Sequence, residues 1–285
     1  MAVDIKTLRQ QPTYQASTPV ESLLGDLSFL TQLDVQIEQK LKRANILLGV
    51  GIAVVFISFF LLAIGIGIVT LAVGLGLAIW GGVSRQRLVK INIPNYRYEL
   101  LIRVLQMLLR DMAPDQPVDL KLGLTSVERP EKKIDTIPHP SRSKWNIDRY
   151  ADPWLELSSQ FLDGTRFTLS ATELFQSHHG WKRGRSGKSK YKRKPKPKGQ
   201  LLSLNLTFSR RKYGAVDQMS SDLQGAIQLP PTVRLKAIEN RDNHLLLQVK
   251  SSPPPGVDDL YQTISLMFLS IYQILNLSRE LSKQP

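Results

Sequence analysis

The chain contains no cysteine, which excludes disulfides, thiolate metal sites and thiol chemistry. Histidine is scarce too. His139, His178, His179 and His244 are too scattered for metal-ligand spacing, and the adjacent pair would point to opposite faces of a strand. No HExxH, GxSxG or catalytic-triad order occurs, and no pattern calls for a cofactor. Gly184 to Lys188 lacks the spacing of a phosphate-binding P-loop and the helix that should follow it.

Acidic residues are missing from one long window. Between Glu173 and Asp217 there is none, while thirteen Lys and Arg fall there. That window supplies nearly all of the net charge of +14, so an electrostatic partner should meet this segment.

Charge of either sign is absent from Ala44 to Ser84, and Ile46 to Val83 is almost wholly apolar. A single straight helix over that stretch would run about 57 Å, against a hydrocarbon core of roughly 30 Å. Two spans joined by a short turn fit better, so residues 45–84 read as a two-helix transmembrane hairpin. The polar stretch before it argues against a cleavable signal peptide. Small residues recur every four positions, at Gly49 and Ala53 and again at Gly74, Ala78 and Gly82. Such rows let helices approach closely in lipid. Positions 49 and 82, and 53 and 78, each total 131, which centres the turn between Gly65 and Ile66 and sets Ile57 against Gly74. A homodimer face is the competing use of the same row. Lys40, Lys42 and Arg43 precede the hairpin; Arg85, Arg87 and Lys90 follow it. Positive flanks on both sides predict two spans with both termini cytoplasmic, or a re-entrant loop with the same ends. Ser58 and Thr70 are the only side-chain hydroxyls in the arms, which offers no ionisable pathway for transport.

Before the hairpin, residues 1–17 read as disordered. Residues 18–44 read as an amphipathic helix with Thr18 as N-cap and Leu23, Leu27, Leu30, Ile37 and Leu41 along one stripe. After it, residues 91–285 form a soluble α+β domain of about six antiparallel strands flanked by helices. A helix at 96–112 precedes a strand at Val118–Leu124. A polar loop at 127–152 then leads to a hairpin. In that hairpin a three-residue loop, Leu162-Asp163-Gly164, pairs Leu157 with Leu169 and keeps the apolar residues on one face, with Gly164 left-handed. Strands near 202–208, 233–237 and 245–249 follow. The closing helix at 256–282 gathers its polar residues on one side, which favours packing on a sheet over a third span.

The basic residues Lys182, Arg183, Arg185, Lys188, Lys190, Lys192, Arg193, Lys194, Lys196 and Lys198 fall in a hairpin loop at 180–199, with Gly, Ser and Pro between them. The composition predicts an extended, mobile tip. Trp181 and Tyr191 beside it suit either base stacking or a bilayer interface. The expectation is a membrane-anchored, non-enzymatic scaffold whose basic loop meets the bilayer, through anionic lipid headgroups, or an acidic protein. The alternatives are a membrane-tethered RNA binder and an enzyme with a pocket on the sheet face.

Overall fold

The computed structural model describes residues 13–61, 66–89, 94–184, 187–213, 216, 223–253 and 255–281. They fall into two compact units. One comprises Asp26–Asn95; the other joins Gln10–Gly25 to Tyr96–Pro285.

In the first unit, helix α1 (Val20–Leu61) enters from the other unit and continues unbroken for 42 residues. No break in the helix marks the expected boundary at 44 between an amphipathic segment and a membrane arm. Lys40, Lys42 and Arg43 all favour helix, and no glycine or proline interrupts the junction. The turn at 62–65 lies outside the described residues, as does Lys90. Helix α2 (Gly67–Val89) completes the hairpin. Both helices are long and apolar enough to cross a membrane. Their outer surface suits lipid: Ile46, Phe56, Phe60, Ile68, Val69 and Ile79 are exposed.

The helices meet along a glycine seam repeating every seven residues, Gly67, Gly74 and Gly81, all buried. A Cβ on Gly51 would stand 2.5 Å from Ala78 N, one on Gly74 2.9 Å from Val55 N, and one on Gly81 2.7 Å from Leu48 N. The opposed pairs 48/81, 51/78 and 55/74 each total 129, not 131. Gly74 and Ala78 therefore lie in the contact, and Gly82 only skirts it: a Cβ there would stand 4.0 Å from Leu48 Cδ1. Gly49, Ala53 and Ile57 do not; they are exposed, and a Cβ on Gly49 would meet nothing within 4 Å. The reason is period. A four-residue row drifts around a helix of 3.6 residues per turn, whereas seven residues nearly close two turns and stay on one face. Ser58 and Thr70 turn their hydroxyls back on their own helices, to Val54 O and Gly67 O.

The second unit is an antiparallel eight-stranded sheet with helices on one face. Its strands are β1 (Thr13–Pro19), β2 (Pro117–Gly123), β3 (Lys133–Pro138), β4 (Trp145–Gln160), β5 (Arg166–Arg183), β6 (Ser189–Thr207), β7 (Val233–Arg241) and β8 (His244–Ser251). They lie in the order β1-β2-β4-β5-β6-β8-β7, with β3 beside the far half of β4. Residues 13–17, expected to be disordered, are strand: Thr13 pairs with Gly123 and Pro19 with Pro117. Residues 1–12 lie outside the description. Thr18 is consequently no N-cap, and its hydroxyl donates to Pro19 O. The sheet-bearing unit thus includes residues on both sides of the hairpin, not 91–285 alone.

The core explains the sheet. Leu157 pairs with Leu169, Leu169 with Leu204 and Leu204 with Leu247, forming a buried row across four strands. The β4–β5 turn follows the expected loop: Phe161 N donates to Thr165 O, and Gly164 sits at φ +88°. Helix α3 (Asn95–Leu108) buries Leu100, Leu101, Val104, Leu105 and Leu108. The last helix, α4 (Val257–Leu281), is apolar enough to span a membrane, but half of its most apolar window is buried, against 17% for each hairpin helix. It packs as a core helix.

Sequence reading missed Arg97. This side chain, wholly buried at the start of α3, lies 2.7 Å from Asp152 Oδ2 and 2.8 Å from Glu173 Oε2. Its Nη1 donates to Gly123 O and Thr125 O, and its guanidinium lies 5.3 Å from the Trp154 ring. Lys132 Nζ shares Asp152 at 2.7 Å. Every charge in the cluster is paired, as burial requires.

Candidate anion-binding face

The basic segment is not a loose loop. Beyond Leu201, β6 leaves β8 and continues as an edge strand paired only with β5, from Phe175↔Pro197 out to Arg183↔Ser189. An extra residue on β6 at this departure, with Gly199 at φ +86°, makes a bulge that re-aims the strand. The tip closes tightly, with Gly184 N donating to Lys188 O and Gly187 N to Gly184 O. Glycine and proline in the sequence suggested a breaker-rich loop. Both have specific places here: Gly187 takes the left-handed turn position, and Pro195 and Pro197 sit on the unpaired edge, where a missing N–H costs nothing.

Alternation along a strand then sorts the charges. Lys190, Lys192, Lys194, Lys196 and Lys198 share one face of β6, roughly 7 Å apart along the strand. Tyr191, Arg193, Pro195 and Pro197 take the other. Lys182 is cross-strand from Lys190 and joins the lysine face. Lys188 and Arg183 stand at the tip, and Arg185 lies outside the described residues. The ten basic residues are thus divided, not pooled.

The two faces differ in how their charge is answered. Arg193 lies 3.3 Å from Glu128 and donates to Ser177 Oγ, while His179 Nε2 sits 3.0 Å from Asp148. Tyr191 OH contacts His179 Nδ1 at 2.7 Å, and the exposed Trp181 and Tyr191 rings pack edge to face. Among the described residues, none of the face's lysines has a carboxylate within 4.0 Å. The crowding registers on its neighbours. Partial burial, then His139, Lys196, Lys198 and Arg142, hold the His178 imidazole below the usual histidine range. Partial burial together with Lys196 and Lys250 lowers Lys198.

A cleft of about 460 Å³ opens at the shoulder of this face, where the loop at 139–144 meets β5 and β6. An apolar cavity of about 550 Å³ lies elsewhere, between α3, α4 and the β4–β5 turn, lined by Leu108, Phe161, Phe268 and Tyr272. Among the described residues no group of His, Asp or Glu is arranged to hold a metal ion.

Comparison with protein-family models, curated proteins and solved structures finds no match to the chain.

Proposed function

We propose that the protein is a membrane-anchored scaffold, not an enzyme, whose folded unit presents the lysine face of the β5–β6 ribbon to anionic lipid. The hairpin crosses twice, and both termini face the cytoplasm. The pairing of β1 with β2 supports two crossings. Strand residues on either side of the hairpin share one sheet, so both must lie on the same side of the bilayer. Positive flanks on both arms favour the cytoplasmic side.

The observation that carries the lipid reading is the unanswered lysine row on a paired, ordered strand. Edge protection needs only a few lysines and prolines; it does not need five lysines on one face with no carboxylate. Near an anionic leaflet each basic residue contributes roughly 1 kcal/mol, within a Debye length of about 8 Å. The hairpin keeps the unit tethered to a bilayer, so the approach is local. The test uses the full chain in phosphatidylcholine nanodiscs, mixed with separate vesicles. Binding to anionic vesicles that falls when Lys190, Lys192, Lys194, Lys196 and Lys198 become Gln supports the reading. Binding to RNA alone replaces it with the nucleic-acid alternative.

A further inference from the structure

The cleft at the shoulder of the basic face is more specific than a charged surface. Its lining includes Arg142, Lys182, Arg183, Lys192 and Lys194, with Ser141 and Ser143 and no carboxylate. Among the described residues none of these five cations is in an ion pair. Arg149, nearby on β4, shows the contrast: it is bound by Asp135.

Arg142 is also held in place, and the three lysines rise from paired backbone. The Arg142 guanidinium lies 4.9 Å from the centre of the Trp145 ring, a stacking arrangement that fixes the direction of its donors. Trp145 is 5% exposed, and its Nε1 donates to Trp181 O at 3.1 Å. The loop carrying Ser141 and Arg142 is pinned by His139, which accepts from Ser141 N at Nδ1 and from Arg142 N at its carbonyl. Lys182, Lys192 and Lys194 come from paired strands. Convergent donors on ordered elements can select a geometry, whereas mobile lysines respond only to charge density.

We propose that this cleft binds a phosphomonoester, the terminal phosphate of a lipid headgroup or of a free phosphorylated metabolite. A phosphomonoester carries about −1.5 to −2 charge at pH 7 and three terminal oxygens. A phosphodiester carries one charge and two such oxygens. With five cationic residues and two serines lining the cleft, one more charge-assisted hydrogen bond corresponds to a preference of about tenfold or more. The inference rests on the reading that this face meets anions, and it adds a selection among them.

The experiment compares two vesicle types matched in surface potential, one containing phosphatidic acid, a monoester, and one phosphatidylglycerol, a diester. The full chain in phosphatidylcholine nanodiscs is the binding partner. Phosphatidic acid vesicles should bind about tenfold more tightly. Arg142→Gln with Ser141→Ala should remove that preference and leave phosphatidylglycerol binding in place; both side chains are exposed, so the fold survives. Arg142→Lys, which keeps the charge and loses the stacking plane, should fall between. Lys190, Lys196 and Lys198 changed to Gln should weaken both vesicle types alike. Competition by glycerol 3-phosphate assigns the cleft to a soluble monoester, and persistence of the preference in its presence assigns it to lipid. Equal binding of the matched vesicles overturns the cleft proposal and leaves the lipid reading standing. Binding to neither overturns both.

Discussion

Trp145 packs against Gly180 on the neighbouring strand: a Cβ at 180 would stand 2.4 Å from Lys144 O and 2.6 Å from Trp145 Cγ. The absent side chain leaves the space the indole occupies, and the indole in turn supports Arg142. Gly180→Ala should therefore destabilise the outer β4–β5 pairing by about 1–3 kcal/mol, the usual cost of overpacking. Thermal unfolding and amide exchange at residues 145–147 and 178–182 measure it, and unchanged exchange there would dissociate Trp145 from the ordering of the ribbon.

Arg97 should be among the least replaceable side chains. Arg97→Ala leaves Asp152 with Lys132 and Glu173 with the Tyr96 hydroxyl but without its guanidinium, and should cost about 3–5 kcal/mol. Glu173→Gln should cost less, because Glu173 is 21% exposed and Asp152 still pairs with Arg97. Denaturant unfolding of the detergent-solubilised chain ranks the two.

Asp148 predicts an acid transition. Its partial burial pushes its carboxyl up, but hydrogen bonds from Lys133, Thr136 and His179 outweigh this and hold it down at about 2. A depressed carboxylate stabilises the fold above its ordinary range, and that contribution disappears as pH falls from about 4 to about 2. Wild type should thus be more stable than Asp148→Asn by a constant margin near neutrality. The margin should shrink over this acid window in stability measured against pH.

The hairpin register is tested by two glycines two positions apart. Gly51→Leu should separate the helices, because a Cβ there meets the backbone of Ala78; Gly49→Leu should be silent, since it faces outward. Protease resistance of the hairpin in detergent separates them. The reverse result would restore the 131 register.

Much of the core was legible because the physics was local. The alternation of Leu155, Leu157 and Phe167, Leu169 around Asp163-Gly164 fixed the register of β4 and β5 without any knowledge of neighbours. The long uncharged run announced the hairpin in the same way. Strand β1 gave no such signal: of its seven residues only Tyr14 is buried, and its partner lies about a hundred positions away. The outer half of β4 and all of β3 are charged on both faces, so Asp148, Arg149 and Asp135 masked the alternation. The basic segment read as a loop and not as paired strand, because its prolines look like breakers until the strand is known to be an edge. The glycine seam was present in the sequence but at period seven, interleaved with a four-residue row of small residues that mimics a packing face.

The pairing of β1 with β2 also sets an order of events during synthesis. Thr13 leaves the ribosome early and finds Gly123 only after the whole apolar hairpin has followed it. At 5–20 residues per second, the intervening stretch of about a hundred residues takes roughly 5–20 seconds to translate. During that interval β1 is an unpaired strand with open N–H and C=O groups, while the apolar hairpin is being made. The sheet can close at β1 only after residues 117–123 have emerged, so the first strand of the chain waits for the complete hairpin before it finds its partner.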